Sequence, residues 1–248
     1  MSALLLALAA GAVIGLALGA LGGGGSVLAV PALIYLLGFS PVGATTASLV
    51  IVTVTSVTAL VAHARDGHVR WRTGLLFAAA GIGPAMLGGA LAARVPQAAL
   101  TAAFALVAGV AAVRMLRARA AAEGVVTVRP GRAAAAGAGL GAVTGALGVG
   151  GGFLAVPALV GVLGMRMRDA VGASLLVITV NSIAALATRA GTVEALDWAV
   201  VGPFIGAAIL GAWDGRRLAV KVSGPSLQRI FALMLLAVAA FMLIDAAV

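Results

Sequence analysis

The fold is decided by a glycine-rich stretch that occurs twice in the chain. Residues 11–38 read GAVIGLALGALGGGGSVLAVPALIYLLG, and residues 137–164 read GAGLGAVTGALGVGGGFLAVPALVGVLG. The ungapped alignment extends over residues 11–63 and 137–189, an offset of 126, and 26 of the 53 pairs are identical. Similarity at one fixed offset indicates an internal duplication, so the chain is interpreted as two repeats.

The composition is that of a membrane protein. Of the 248 residues, 63% are hydrophobic and 9% are charged, and the mean hydropathy is +1.20, whereas soluble domains carry about 25% charged residues. At about 20 apolar residues per crossing, the chain has room for roughly eight to ten membrane segments. It has no cysteine, two histidines and seven acidic residues, so we expect neither a disulfide nor a metal or other cofactor.

The predicted fold class is an all-α integral membrane protein with five apolar segments in each repeat. A first transmembrane repeat, a cytoplasmic basic linker and a second transmembrane repeat are predicted at residues 1–117, 118–132 and 133–248. The apolar stretches lie at residues 3–21, 26–38, 43–63, 73–93, 97–117, 133–147, 152–164, 169–189, 198–213 and 226–246. The second stretch of each repeat would span only about 20 Å as a helix, less than the roughly 30 Å hydrocarbon core. These two short segments are predicted to be half-helices that begin at glycine-rich breaks, which is typical of a transporter binding site.

The basic residues predict that the two repeats have opposite orientations in the membrane. If the basic segment that contains the linker is cytoplasmic, loops 64–72, 165–168 and 214–225 are cytoplasmic too, and 14 of the 16 basic residues lie inside. Ser40 then lies outside, while its repeat equivalent Arg166 lies inside. Equivalent loops on opposite faces define inverted repeats, which are common in secondary transporters.

These residues resemble the sulfite exporter TauE/SafE family of bacterial membrane permeases. Two motifs carry the resemblance: the tripeptide Ala47-Ser48-Leu49 and the run Gly15-x3-Gly19-x2-Gly22-x-Gly24-Gly25-x2-Leu28-x-Val30-Pro31-x-Leu33. Both motifs recur in the second repeat. The resemblance implies a multi-pass protein of the bacterial plasma membrane. It also implies that the cargo is sulfite, an organosulfonate or another small sulfur-containing anion, often moved outward.

The binding hypothesis is an anion held between the two half-helix N-termini. A helix N-terminus carries about half a positive charge and unpaired N–H donors, and glycine lets a ligand approach them closely. The predicted substrate-binding residues are Gly23, Gly24, Gly25, Ser26, Ser48, Gly150, Gly151, Gly152, Ser174 and Asn181. Two alternatives stay open, because the glycines could serve only close helix packing and the hydroxyls could bond their own helices.

The remaining motifs are predicted to be structural. Glycines at every fourth position of the first stretch in each repeat form a helix-packing face. Pro31 and Pro157 predict kinks in the half-helices. Ser40 and Asp169 are predicted to be N-caps of the third helix in each repeat, and His63 is assigned to the membrane interface.

The predicted function is export by alternating access, without enzymatic activity. A gated anion channel and a non-transporting membrane scaffold subunit are the alternatives, and an enzyme is least favoured because no nucleophile–base pair is visible. The expected partners are the small sulfur-containing anion and the lipid bilayer, without nucleic acid. Lipid-facing and dimer surfaces look alike in such a chain, so a homodimer stays open.

Overall fold

The computed structural model describes residues 2–92, 96–117, 129–146, 152–187 and 196–247. Within these ranges the chain is helical and contains no strand, which confirms the all-helical prediction. The helices are α1 (Ser2–Leu21), α2 (Gly24–Pro31) with a π-helical continuation (Ala32–Leu36), α3 (Pro41–Arg65), α4 (Trp71–Ala92), α5 (Gln97–Arg117), α6 (Pro130–Ala146), α7 (Gly152–Gly161), α8 (Met167–Ala187), α9 (Trp198–Lys221) and α10 (Gly224–Ala247). In the described part of the chain, α1, α3, α8, α9 and α10 are long and apolar enough to cross a membrane.

The short second helix predicted for each repeat is present. The eight residues of α2 and the five of its π-helical continuation span about 20 Å, and the ten residues of α7 span about 15 Å. The break before α2 is shorter than predicted, because only Gly22 and Gly23 lie outside the helices. Gly25 is already helical and packs against α1, where an added Cβ would lie 2.5 Å from the Ile14 carbonyl oxygen.

Both short segments end in the same backbone motif. Gly38 and Gly164, which are equivalent in the two repeats, have φ angles of 70° and 66°, in the left-handed region that favours glycine. In each case the glycine amide donates to the carbonyl four residues earlier, at 3.1 Å, which is the bond of an αL C-cap. The duplicated sequence therefore produces the same local structure twice.

The glycines of α1 and α6 form the predicted packing faces. An added Cβ would overlap a carbonyl oxygen of the facing helix at each of five positions: Gly11 at Phe204, Gly15 at Ala208 and Gly19 at Ala212 in the α1–α9 pair, and Gly137 at Phe77 and Gly141 at Gly81 in the α6–α4 pair. The backbones can approach this closely only because no side chain intervenes. Residue numbers rise together in both pairs, so the two helices of each pair run parallel.

The centre of the protein is the pair formed by α3 and α8. These helices pack against each other, α9 adds to α3, α4 adds to α8, and α5 packs against α10 at the periphery. The first 13 residues of α8 are almost all buried. Asp169 at the start of α8 pairs with Arg70, which lies just beyond the end of α3, at 3.4 Å. The two helices therefore run antiparallel.

Several helix boundaries differ from the prediction, most of all the end of α9. The predicted stretch 198–213 ends at the first charged residue, but α9 continues to Lys221. Both arginines of this extension form ion pairs: Arg217 lies 3.6 Å from Asp214 one turn earlier, and Arg216 lies 2.6 Å from Asp66. Hydropathy detects the apolar span of a helix and not its polar extension. For the same reason α6 begins at Pro130 rather than at residue 133.

The two predicted N-caps have different outcomes. Ser40 precedes Pro41, and its hydroxyl accepts a hydrogen bond from the Gly43 amide at 3.2 Å, so it is the N-cap of α3. The prediction for Asp169 is wrong, because this residue lies inside the first turn of α8. Its carboxylate instead accepts bonds from the guanidinium group of Arg166, at 3.0 and 3.1 Å.

Candidate functional site

The break between α1 and α2 lies directly against α8. Gly22 has a φ of 75°, and a Cβ added there would lie 2.5 Å from Ser174 Oγ and 3.2 Å from the Val171 carbonyl oxygen. Gly23 follows as the buried N-cap residue of α2. The irregular backbone of the first repeat is thus buried against a long helix of the second repeat, beside two predicted site residues, Gly23 and Ser174. The contact made by Gly22 was not predicted.

The two equivalent serines make the same local bond. Ser48 Oγ donates to the Thr45 carbonyl at 2.9 Å, and Ser174 Oγ donates to the Val171 carbonyl at 2.8 Å. Both side chains are buried. A hydroxyl has one proton, so each serine would have to rotate to donate to an anion, although its lone pairs remain available as acceptors. In this conformation the hydroxyls bond their own helix, one of the two alternatives that the sequence leaves open.

The other predicted site residues are placed by their helices. Gly24 and Ser26 lie in the first turn of α2, and Gly152 is the first residue of α7. The two short helices contact each other. Asn181 is half-buried on α8, seven residues and about two turns beyond Ser174. Gly150 and Gly151 lie outside the described residues.

A buried hydroxyl pair joins the two repeats at their centre. Thr179 Oγ1 on α8 lies 3.0 Å from Ser56 Oγ on α3, within hydrogen-bonding distance. A carbonyl of its own helix is also within reach of each hydroxyl, Leu175 at 2.8 Å from Thr179 Oγ1 and Thr53 at 3.1 Å from Ser56 Oγ. Each hydroxyl has one proton, so the bond between them forms when one of the two protons turns away from its carbonyl. The sequence carries no signal that these two hydroxyls face each other, because they are 123 positions apart.

Charged residues from both repeats meet at one end of the helices. We call this end the basic face and define it by loops 64–72 and 165–168 and the end of α9. Its contacts are Arg216 with Asp66 at 2.6 Å, Arg70 with Asp169 at 3.4 Å, Arg166 with Asp169 at 3.0 Å, and Arg168 Nη2 with the carbonyls of Val220 and Val222 at 3.1 and 3.2 Å. The loops that were predicted to share one side of the membrane are therefore neighbours. Among the described residues, no group of three histidine, aspartate or glutamate side chains is placed to hold a metal ion.

Four features of the described residues define the class of the protein: long apolar helices, two short helices, close-packed glycine faces and a basic face. It is a multi-pass α-helical membrane protein. The family described as sulfite exporter TauE/SafE matches residues 7–242, and the chain belongs to this family. The resemblance predicted from the glycine-rich motifs is confirmed.

Two relatives agree with this assignment. The chain is 34% identical to a probable membrane transporter protein of Xylella fastidiosa strain Temecula1, over 97% of this chain and 95% of the relative. It is 35% identical, with the same coverage, to a protein of the same name from strain 9a5c. No solved structure shows a significant match. The family and its relatives indicate that the protein is a membrane transporter rather than an enzyme.

Proposed function

We propose that this protein exports sulfite or a small sulfur-containing organic anion across the bacterial plasma membrane by alternating access. The observation that carries the proposal is the contact between the Gly22–Gly23 break and Ser174 on α8. Membrane proteins tolerate irregular backbone at membrane depth only where it is buried in protein or lines a cavity. In transporters, such breaks in corresponding positions of two repeats mark the substrate site.

The chemistry of the proposed site comes from backbone amides. The first amides of α2 have no partner within the helix, and the helix dipole adds about half a positive charge there. The two short helices contact each other, as one site shared by α2 and α7 would require. The anion would be bound by Gly23, Gly24, Gly25, Ser26, Gly150, Gly151 and Gly152, with Ser48, Ser174 and Asn181 completing its surroundings.

Inverted repeats are part of the proposal, and two kinds of contact support them. The equivalent helices α3 and α8 are antiparallel, as the Arg70–Asp169 pair requires. Helix packing also repeats with the roles of the repeats exchanged: α1 packs on α9 as α6 packs on α4, and α2 contacts α10 as α7 contacts α5. A two-fold relation between the repeats predicts this exchange of partners.

The equivalent loops after the two short helices also point to inversion. Tyr35, just before the first of these loops, packs its ring against Phe241 with centroids 5.8 Å apart. Arg168, in the first turn of the helix that follows the second loop, instead bonds the Val222 carbonyl, two residues before α10 begins at Gly224. Phe241 and Gly224 are separated by 17 residues, about 26 Å along a helix. The equivalent loops therefore lie near opposite ends of α10.

The ion pairs of the basic face would close one side of such a transporter. They join Asp66 and Arg70 of the first repeat to Arg216 and Asp169 of the second. The repeat equivalent of Asp169 is Gly43, which cannot form an ion pair. By the positive-inside rule the basic face is cytoplasmic, so inward opening would require these pairs to separate.

Export of an anion needs no coupled ion in this scheme. A negative-inside membrane potential supplies about 2.3 kcal/mol for each charge and 100 mV. Uncoupled export down this potential is the simplest mechanism that fits the proposal.

The test is the flux of radiolabelled sulfite through proteoliposomes that contain Gly24→Leu. A leucine side chain at this position should block the α2 amides and abolish flux, while the variant still inserts and elutes as a monodisperse peak. Gly139→Leu is the matched control, because Gly139 is exposed on α6 with no atom within 4 Å of an added Cβ. Normal flux through a well-folded Gly24→Leu protein would contradict the site assignment.

A further inference from the structure

A small pocket on the basic face lies outside the proposed half-helix site. Its polar wall consists of His63, Asp66, His68 and Arg168, and its apolar wall includes Val171 and Ala219. These residues come from both repeats, so the pocket lies where the first repeat meets the second. None of its polar side chains belongs to the predicted substrate site.

Arg168, which lines this pocket, has a hydrogen-bond donor without a partner among the described residues. Its Nη2 atom bonds two carbonyls at the end of α9, at 3.1 and 3.2 Å, which fixes the guanidinium group. Its Nε atom is buried and has no hydrogen-bond partner among the described residues. The Nε atom of Arg216 is likewise buried and without a partner there. Buried donors without partners are rare in proteins and call for a specific explanation.

The charges around the pocket favour an anion. Asp66, the acidic residue of the wall, is already paired with Arg216 at 2.6 Å. Among the described residues Arg168 bonds two neutral carbonyls and forms no ion pair with a carboxylate. A planar guanidinium group with a free Nε–H matches the geometry of an oxyanion. Partial burial strengthens such an interaction relative to water.

The pocket also adjoins the broken helix. Val171 lines the pocket, and its carbonyl oxygen lies 3.2 Å from the Cβ position of Gly22. Arg168 precedes Ser174 by six residues, about 9 Å along α8. An anion bound at Arg168 would therefore lie within about two helical turns of the Gly22–Ser174 contact.

We propose that this pocket is a recruitment site in which Arg168 binds a small oxyanion from the basic face before the anion reaches the half-helices. The assignment of the ligand to sulfur oxyanions and sulfonates rests on the proposed function. The binding chemistry itself, a guanidinium donor facing a compact anion, rests on the pocket alone.

Thiol labelling tests the pocket without any transport measurement. The chain has no cysteine, so His68→Cys gives a single reactive group in the pocket wall, and Ser226→Cys gives an exposed control near the same face. Each variant, in detergent without phospholipid, reacts with two methanethiosulfonate reagents, one bearing a sulfonate and one bearing an ammonium group. We expect the sulfonate-to-ammonium rate ratio to be about tenfold higher at position 68 than at position 226, and we expect sulfate to slow labelling only at position 68.

Charge variants of Arg168 complete the test. Arg168→Gln in the His68→Cys background should reduce the rate ratio to that of the control, whereas Arg168→Lys should preserve most of it. Size-exclusion profiles establish that both variants are folded. Equal ratios at the two cysteine positions, or a ratio that Arg168→Gln does not change, would overturn the proposal.

A lipid headgroup is the other source of such an anion. Slowing of labelling by phosphatidylglycerol vesicles but not by sulfate would overturn recruitment of a free anion. Labelling and flux together also distinguish failure of the pocket from failure of the transport function. Charge-selective labelling without sulfite flux would support the pocket and contradict the proposed transport. Normal flux without charge-selective labelling would support the proposed transport and contradict the recruitment site.

Discussion

Gly22→Ala probes the contact between the broken helix and α8, and the chain supplies a matched control for it. Gly22 has a φ of 75°, and an added Cβ would lie 2.5 Å from Ser174 Oγ. Gly164 has a φ of 66°, and nothing lies within 4 Å of an added Cβ. The two alanine variants therefore share the backbone strain and differ in crowding against α8.

The structure gives the size of both effects. A left-handed backbone costs an L-residue roughly 1–2 kcal/mol, and overpacking of a close contact adds about 1–3 kcal/mol. Gly164→Ala should lose only the first amount, and Gly22→Ala should lose both. A loss of 1 kcal/mol lowers the melting temperature of a chain of this size by about 2–4 °C. Gly22→Ala should therefore melt roughly 2–12 °C below Gly164→Ala.

The assay is the fraction of protein that remains monodisperse in detergent after heating, measured by size-exclusion chromatography. Removing the serine oxygen in a Gly22→Ala, Ser174→Ala double variant should recover part of the difference, with a coupling energy of about 0.5–3 kcal/mol. Equal melting of the Gly22→Ala and Gly164→Ala proteins, or simple additivity in the double variant, would refute the contact on which the site is built.

Three further predictions use the same protein. Gly141→Ala should melt below Gly139→Ala, because only the first places a Cβ on the α4 backbone; equal stability in detergent would contradict the packing face. Thr179→Val should lower the free energy of unfolding by about 1 kcal/mol, because it removes the hydroxyl that bonds Ser56 on α3. This loss should be smaller when Thr179→Val is made in a Ser56→Ala protein. Asp169→Asn weakens the ion pair between Arg70 and Asp169, which joins the two repeats at the basic face and is worth roughly 0.2–1 kcal/mol. It should speed thiol labelling of Val171→Cys up to about fivefold, and an unchanged rate would show that this pair does not hold that face closed.

The helices and their short pair followed from the sequence because each has a local cause. Apolar length sets the long helices, and Gly38 and Gly164 end the short ones because an αL C-cap favours glycine in the left-handed conformation. The spacing of Gly15 and Gly141 within their helices was enough to predict a packing face. The family also followed, because its motif lies in these same glycines.

The contacts of the site could not be predicted in the same way. Gly22 meets Ser174, and Ser56 meets Thr179, across more than a hundred positions, and no local pattern encodes such pairs. Asp169 looked like an N-cap because it lies near the start of a helix, but guanidinium groups nearby bind its carboxylate instead. The polar end of α9 was missed because hydropathy detects only the apolar span of a helix and does not show that Arg216 pairs with Asp66 from the other repeat.

Movement of a sulfur oxyanion across the membrane is the property on which the proposed function depends. The most direct measurement is uptake of radiolabelled sulfite into proteoliposomes under an imposed potential, with and without a pH gradient, and with sulfate, thiosulfate and taurine as competitors. We predict saturable flux that the potential drives and that does not depend on the pH gradient. Absence of flux for every sulfur anion would contradict the proposed function, and conductance far above the turnover of a carrier would replace alternating access by a gated channel.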